Sequence, residues 1–382
     1  MNLELIKSRS KECVTPFYVY DLDVLSKGIA ACLKSKPNNY HIHYAIKANT
    51  QSKVLNILSS QNFGADCVSY NEVNHALQNG FKPESVVFAG VGKTDHEIVM
   101  AIRDNIYCFN VESLQEISVI NALAEKEGKC VNIALRLNPN VKANTHKYIT
   151  TGLDQNKFGI DSKDFDAAID IIKSSKNISF EGIHFHIGSQ ITDLDNFKQL
   201  CLRANQLFEY FEHRGLRCKT VNVGGGLGID YENPIENPYP NFEAFFGVYQ
   251  QFLELPEDVE VHFELGRALV GNCGAVITDV LYEKNNGGAD FLIVDAGMTE
   301  LMRPALYNAY HKIEKLSSNE NLELKTYTIA GPICESSDVF AKECSLPESK
   351  RGDKLIILSA GAYGEVMRSQ YNLREANKAL FI

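Results

Sequence analysis

Between residues 41 and 264 the sequence alternates short strand-like runs with amphipathic stretches, over and over, at a spacing few folds accept. The strand candidates are 41–47, 63–69, 86–91, 107–111, 131–138, 180–189, 220–223 and 261–264. Between them, 70–79, 113–126, 164–175 and 196–214 carry apolar residues at helical spacing. Eight strand–helix units in succession predict a closed (β/α)8 barrel rather than an open doubly wound sheet. The longest connection joins the fifth and sixth strands, and 142–157 is expected to form a loop over the barrel mouth. After about Arg267 the rhythm changes to strands at 275–282, 291–294, 324–329 and 354–358, with glycine-rich or polar turns and little helix. This is a second, mostly β domain. An isolated N-terminal strand at 17–20 precedes a helix of roughly 21–34, for which Asp21 is the expected N-cap. That strand has no partner before the barrel and is expected to join the β domain. The expected division is therefore 21–267 for the barrel and 1–20 plus 268–382 for the β domain.

Composition excludes several classes of function. A net charge of −10 argues against nucleic-acid binding and against an anionic membrane surface, though not against small anionic ligands. No run approaches the roughly 18 apolar residues of a membrane span, and the first ten residues lack the apolar core of a secretion signal. The ten cysteines are scattered, without a CxxC pair, which suits free thiols in a reducing cytoplasm better than disulfides or a zinc site.

Lys47 closes the first barrel strand, just before the Asn49-Thr50 turn, where barrels place reactive groups. Alternation sets His43, Ala45 and Lys47 on one face. Stripping water from an ammonium is costly, and a lysine used covalently in a Schiff base escapes that cost. A strand-end lysine snorkelling to solvent is the competing reading. Its neighbours decide between the two. Gly224-Gly225-Gly226-Leu227-Gly228 follows the seventh strand, and Arg267 lies in the loop after the eighth. Loops at those positions commonly hold phosphate, with bare glycine amides and a forked cation as donors.

Glu264 ends the eighth strand. A carboxylate beside a pyridine nitrogen would keep it protonated, the pairing expected where pyridoxal phosphate must stabilise a carbanion. An ion pair that braces the barrel end is the alternative. His184 and His186 end the sixth strand, and His41 and His43 form a second HxH pair. HxH on a first barrel strand suggests a metal-dependent hydrolase. The position is wrong, because His41 and His43 open their strand. His186 is better read as a flat ring stacked on a cofactor, while packing or a backbone bond accounts for His184. No metal is expected. In the β domain, Cys334 sits between acidic neighbours Glu335 and Asp338, which would raise its thiol pKa and suit it to act as an acid. Asp295 to Gly297, Arg303 to Tyr307 and the glycine turn around Tyr363 complete the set, with turn chemistry the alternative for each.

In order, YAIKAN, HIGSQ, GGGLGI, ELGR, DAGM, RPALY, CESSD and AGAYG span nearly the whole chain, and together they closely resemble the diaminopimelate decarboxylases. Those enzymes belong to the barrel-plus-β-domain pyridoxal phosphate family that includes alanine racemase and ornithine decarboxylase. The resemblance implies that Lys47 carries pyridoxal 5'-phosphate as an internal Schiff base, that His186 stacks on its ring and that Glu264 meets the pyridine nitrogen. Ser189, Gly224, Gly225, Gly226, Arg267 and Tyr363 would surround the phosphate. Arg267, Arg303, Tyr307, Glu335 and Tyr363 would contact substrate. Cys334 would be the proton donor, reaching the site from the second subunit of a homodimer. One departure is Leu265, where the family usually has proline, which would loosen the phosphate loop slightly. The implied reaction is decarboxylation of meso-2,6-diaminopimelate to L-lysine and CO2. A decarboxylase for another diamino or acidic amino acid is the nearest rival.

Overall fold

A computed structural model describes residues 1–140, 157–316 and 323–382. The chain opens with a short helix, Leu3–Arg9, capped by the side chain of Asn2. Strand β1 (Phe17–Tyr20) follows, and Asp21 then caps the helix Leu22–Ser35 by accepting from the amides of Asp23 and Val24 at 3.1 and 3.2 Å. Strands β2 (Tyr40–Ala45), β3 (Gly64–Cys67), β4 (Val86–Phe88), β5 (Cys108–Val111), β6 (Val131–Arg136), β7 (Ile178–His184), β8 (Thr220–Asn222) and β9 (Glu260–Leu265) pair in chain order and close into an all-parallel barrel. The expected (β/α)8 barrel is thus present, with β2 to β8 one to three residues shorter than their predicted spans and β9 longer by one residue at each end.

Closure is sealed by β2 and β9, whose register pairs Tyr40 with Val261, His41 with His262 and His43 with Glu264. Alternation along β9 divides its residues between two environments. Phe263 faces the helices and meets Tyr40, Phe245, Phe246 and Tyr249, with ring centroids 4.9–5.7 Å apart. In the helix Phe242–Phe252, Phe242, Phe245, Phe246 and Tyr249 recur at i, i+3, i+4 and i+7, so all four rings fall on one buried stripe. Each such ring removed from water contributes about 1.5–3 kcal/mol, which fixes the helix over β9. Residues 260, 262 and 264 take the other face, and all three are polar.

The second sheet runs β12 (Ile313–Lys315), β15 (Lys354–Ile357), β10 (Gly274–Asn286), β11 (Ala289–Val294), β13 (Leu324–Ala330) and β14 (Val339–Pro347). Strand β1 does join it, antiparallel to β10, and pairs on its other side with β16 (Leu380–Phe381). Ile6, Phe17, Val19, Ala275, Ile277, Leu316, Ile356 and Leu358 form one buried cluster beneath it.

By packing, the chain divides into two units: Ala31–Gly228 with Asn241–Gly266, and Met1–Ala30 with Ile229–Pro240 and Arg267–Ile382. Residues 21–30 and 229–240 therefore group with the β-rich unit rather than with 31–228, where the sequence division had placed them. Hydrogen bonds give the reason. The Asp21 amide donates to the Cys273 carbonyl at 2.8 Å, and the Asn272 amide side chain reaches the carbonyls of Asn237 and Asp230 at 3.1 and 3.4 Å. The loop expected at 142–157 lies, except for Lys157, outside the described residues. No helix among the described residues is long and apolar enough to cross a membrane.

Candidate active site

In the barrel unit, strand β2 stops at Ala45, and Lys47 sits in a 3-10 turn, Ile46–Ala48, rather than in the strand as expected. The turn lifts its amine clear of the β2 face and brings Nζ to 2.9 Å from Oδ2 of Asp66, which is fully buried one strand over on β3. The Lys47 side chain remains 36% exposed. Burial raises the Asp66 carboxyl above the usual range, and the nearby charge of Glu264 adds to that while Lys47 opposes it.

Glu264 is buried with three donors. His184 Nε2 lies 3.0 Å from one oxygen and 3.1 Å from the other, and the Asn222 and Asn110 side-chain amides donate at 2.9 and 3.2 Å. Burial alone would push this carboxyl up. The interaction with His184 outweighs it, helped by Lys47 and His186, and holds Glu264 well below the usual carboxylate range. Of the two buried acids, the one with three donors is shifted down and the other is shifted up. Glu264 is thus held by hydrogen bonds from His184, Asn110 and Asn222.

His184 is the last residue of β7, so His186 lies beyond the strand that both were expected to end. The Gly225 amide donates to His186 Nδ1 at 3.4 Å, which fixes the ring against the glycine loop. Burial, with Arg136 and Lys47 adding to it, pushes the His186 imidazole down to about 3, so it is neutral near pH 7. The loop is built to approach backbone. A Cβ on Gly224 would stand 2.2 Å from the Phe185 carbonyl oxygen, and one on Gly225 would stand 2.0 Å from that of Glu264. Gly224 and Gly226 also have φ of +72° and +102°, which L side chains rarely adopt. Ser189 follows Gly188 in the neighbouring half-buried turn. Leu265 ends β9 in register with Tyr44 and is buried, so the strand runs through the position where proline was expected.

In the β-rich unit, two buried arginines converge on one phenol. Arg267 Nη1 and Arg303 Nη1 donate to the Tyr231 hydroxyl at 2.6 and 2.8 Å. Arg303 Nη1 also donates to His311 Nε2 at 2.9 Å, while His311 Nδ1 donates to the Leu358 carbonyl at 2.9 Å. Burial lowers the Arg303 guanidinium from its ordinary value, Tyr231 opposes and Arg267 adds to the fall. Among the described residues no carboxylate forms an ion pair with Arg303. The Tyr363 ring lies 4.8 Å from the Arg267 guanidinium, on a backbone with φ of +55°. Tyr307 ends the short helix Arg303–Tyr307 and is half-buried.

Cys334 is exposed, its amide donating to Asn372 Oδ1 at 3.2 Å. Its acidic neighbours accept hydrogen bonds from other groups. Glu335 accepts from the Tyr371 hydroxyl at 2.8 Å, and Asp338 accepts from the Met298 and Ile333 amides at 2.6 and 2.8 Å. Sequence reasoning missed Asp66, Asn110 and Asn222 in the barrel unit, and Tyr231 and His311 in the other. The first three had a signal: each is a lone polar residue within an otherwise apolar strand run.

Comparison with known proteins sets this geometry in a class. Residues 23–271 match the family described as "Pyridoxal-dependent decarboxylase, pyridoxal binding domain". A diaminopimelate decarboxylase of Bacteroides thetaiotaomicron is 50% identical over 366 residues, covering 95% of this chain and 94% of that protein. The crystal structure of diaminopimelate decarboxylase from Helicobacter pylori complexed with L-lysine superposes with a TM-score of 0.91 at 38% identity, covering 98% of this chain and 93% of that one. The enzyme from M. jannaschii, also in complex with L-lysine, gives 0.89 at 32% identity, with 98% and 89% covered. The chain belongs to the diaminopimelate decarboxylase family of pyridoxal-dependent decarboxylases.

Proposed function

We propose that this chain removes CO2 from the D-centre of meso-2,6-diaminopimelate to give L-lysine, with pyridoxal phosphate as cofactor. The observation that carries the reading is the 50% identity to a diaminopimelate decarboxylase over 95% of the chain. The residues present suit the cofactor. Asp66 Oδ1 and His184 Nδ1 are buried without a partner, and the Gly224–Gly226 turn packs too closely on the backbone of Phe185, Glu264 and Gly188 to carry side chains. When bound, pyridoxal phosphate supplies an electron sink for the pair left at Cα as CO2 departs.

Lys47 would hold the cofactor through its amine, with Asp66 positioning that amine. Glu264, kept ionised by His184, Asn110 and Asn222, would keep a proton on the ring nitrogen. The neutral His186 imidazole would lie against the ring face. Ser189, Gly224, Gly225, Gly226, Arg267 and Tyr363 would bind phosphate. Arg303 would take the distal carboxylate of the substrate and Glu335 its distal ammonium, with Arg267, Tyr307 and Tyr363 completing the pocket. The Cys334 thiol would hold the proton that replaces CO2 at Cα.

The assignment includes a homodimer in which Cys334 serves the partner's site. Cys334 and Glu335 are exposed beside Tyr371 and Leu373, which are 46% and 91% exposed, an apolar patch that a second copy would cover. The ten cysteines are free thiols, which favours a cytoplasmic enzyme. Product analysis tests the reaction: purified protein with pyridoxal phosphate and a panel of amino acids should release CO2 and lysine from diaminopimelate. Faster turnover of ornithine, lysine or arginine would assign a different decarboxylase.

A further inference from the structure

The position that separates His41 and His43 from the Lys47 end of their strand puts them at the other end of the barrel, where they meet a second polar cluster. Barrel interiors are ordinarily filled with branched apolar side chains. Here, the first half of β2 and of β9 contributes His41, His43, Glu260 and His262, beside Tyr107. They line a pocket of about 420 Å³. His41 Nε2 lies 3.5 Å from Glu260 Oε1, and His262 Nε2 lies 3.3 Å from Glu260 Oε2. Among the described residues these three form the one group of His, Cys, Asp and Glu whose ligand atoms converge, all within 4.8 Å of one another. A tetrahedral ion with bonds of about 2.0–2.1 Å needs ligand atoms about 3.3 Å apart.

Tautomers follow from the hydrogen bonds. His43 Nδ1 faces the Ser85 carbonyl at 3.1 Å and must donate to it. That leaves the Nε2 of the ring directed at His262. It lies 3.0 Å from His262 Nδ1, so the two rings share one hydrogen bond and His43 orients His262. His262 is left to present Nε2 to the Glu260 carboxylate. The 3.3 Å between that nitrogen and the carboxylate oxygen matches the spacing at which one tetrahedral ion binds both. An imidazole whose far nitrogen is held by an outer partner is the usual arrangement of a metal-ligating histidine.

We propose that His41, Glu260 and His262 form a binding site for a zinc-class divalent ion, with the fourth position open to the pocket. His43 and the Ser85 carbonyl act as its orienting relay. Entry is unobstructed, since the side chains of His41 and Glu260 are 47% and 51% exposed. Lys36 lines the same pocket, but its ammonium is turned to the Pro37 carbonyl at 3.4 Å. The site is independent of the decarboxylase assignment, and none of its residues has a role there.

The test uses cofactor-loaded, chelator-treated full-length protein. Calorimetric titration with Zn²⁺ should show one saturable site per chain, and Co²⁺ should give the intense visible bands of a four-coordinate ion. His41→Ala and Glu260→Gln, both at exposed positions, should each lower affinity by at least about 10–100-fold, the loss typical even of outer-shell changes. Decarboxylation should be unchanged in both. Zinc-edge X-ray absorption of the wild type, which needs no variant, should show two imidazoles in the first shell. Absence of saturable binding, with nitrogen NMR showing an imidazolium at His262, would mean that a simple ion pair with Glu260 occupies the place. That result would overturn the proposal, as would binding undiminished in both variants.

Discussion

The amine of Lys47 and the carboxylate of Asp66 are 2.9 Å apart, an ion pair with one member fully buried and the other reaching solvent. On the proposed assignment, the buried carboxyl would aim the amine that holds the cofactor. Borohydride reduction of the cofactor-loaded enzyme should place the adduct on Lys47, as read by peptide mapping. Asp66→Asn should keep that adduct and lose roughly 10–100-fold in kcat/KM, because a misplaced group costs rate rather than chemistry. An adduct at another lysine would sink the central assignment.

Glu264→Gln removes the charge but keeps the shape. The His184, Asn110 and Asn222 donors would then face an amide, and the ring nitrogen would lose its ionised partner. The Schiff-base absorbance band should survive while kcat falls by about 10²–10³, the range for loss of one preorganised electrostatic group. A kcat within a few-fold of wild type would reject this role for Glu264.

Selectivity should depend on Arg303. A substrate without the distal carboxylate would leave this buried guanidinium without a charged partner, at a cost of roughly 2–5 kcal/mol in comparable pairs. Discrimination by kcat/KM of diaminopimelate over lysine should therefore reach about 10²-fold or more. Arg303→Ala should lose most activity on diaminopimelate with the cofactor spectrum intact. Wild-type turnover of lysine at a similar rate would show that the substrate is misassigned.

A site shared between two subunits, as proposed, would make two dead variants complementary. Mixing Lys47→Ala with Cys334→Ala protein should restore up to about one quarter of wild-type activity under random reassortment into two-fold dimers. If subunits demonstrably exchange and nothing returns, each site is built from one chain.

Burial, with Arg303 adding to it, pushes His311 down to about 3, against about 6.5 for an unfolded histidine. Below pH 6.5 the unfolded chain binds the proton that the folded one refuses, so this contribution is complete above that pH and shrinks as the pH falls towards 3. Between pH 7 and 5 it should amount to a loss on the order of 2 kcal/mol. His311→Gln keeps an acceptor for Arg303 but cannot titrate. Denaturant melts at the two pH values should show a shallower pH dependence for the variant, and identical slopes would contradict the argument.

Much of this was legible in the residues. Period-two runs gave all eight barrel strands, because a strand covered on one side by helices and on the other by the barrel interior leaves a strong pattern. Lys47, Glu264 and the glycine loop stood out as charge or bare backbone at strand ends. What was hidden depended on distance in sequence. Nothing near Glu335 shows that Tyr371 will take its carboxylate, or near Arg303 that Tyr231 will meet it 72 positions away. β14 was overlooked because its burial is irregular and a register shift breaks its alternation.

The Tyr231 hydroxyl accepts from both Arg267 and Arg303. If one guanidinium reads the cofactor's phosphate and the other the far end of the substrate, the phenol makes their occupancies thermodynamically linked. A substrate that draws Arg303 away alters what holds Arg267, so the apparent affinity for cofactor should change when substrate analogue is present. By reciprocity the analogue's affinity must change with cofactor by the same factor. Cofactor retention would then be a property of the enzyme's working state, and equal cofactor affinities with and without analogue would show the two arginines to be uncoupled.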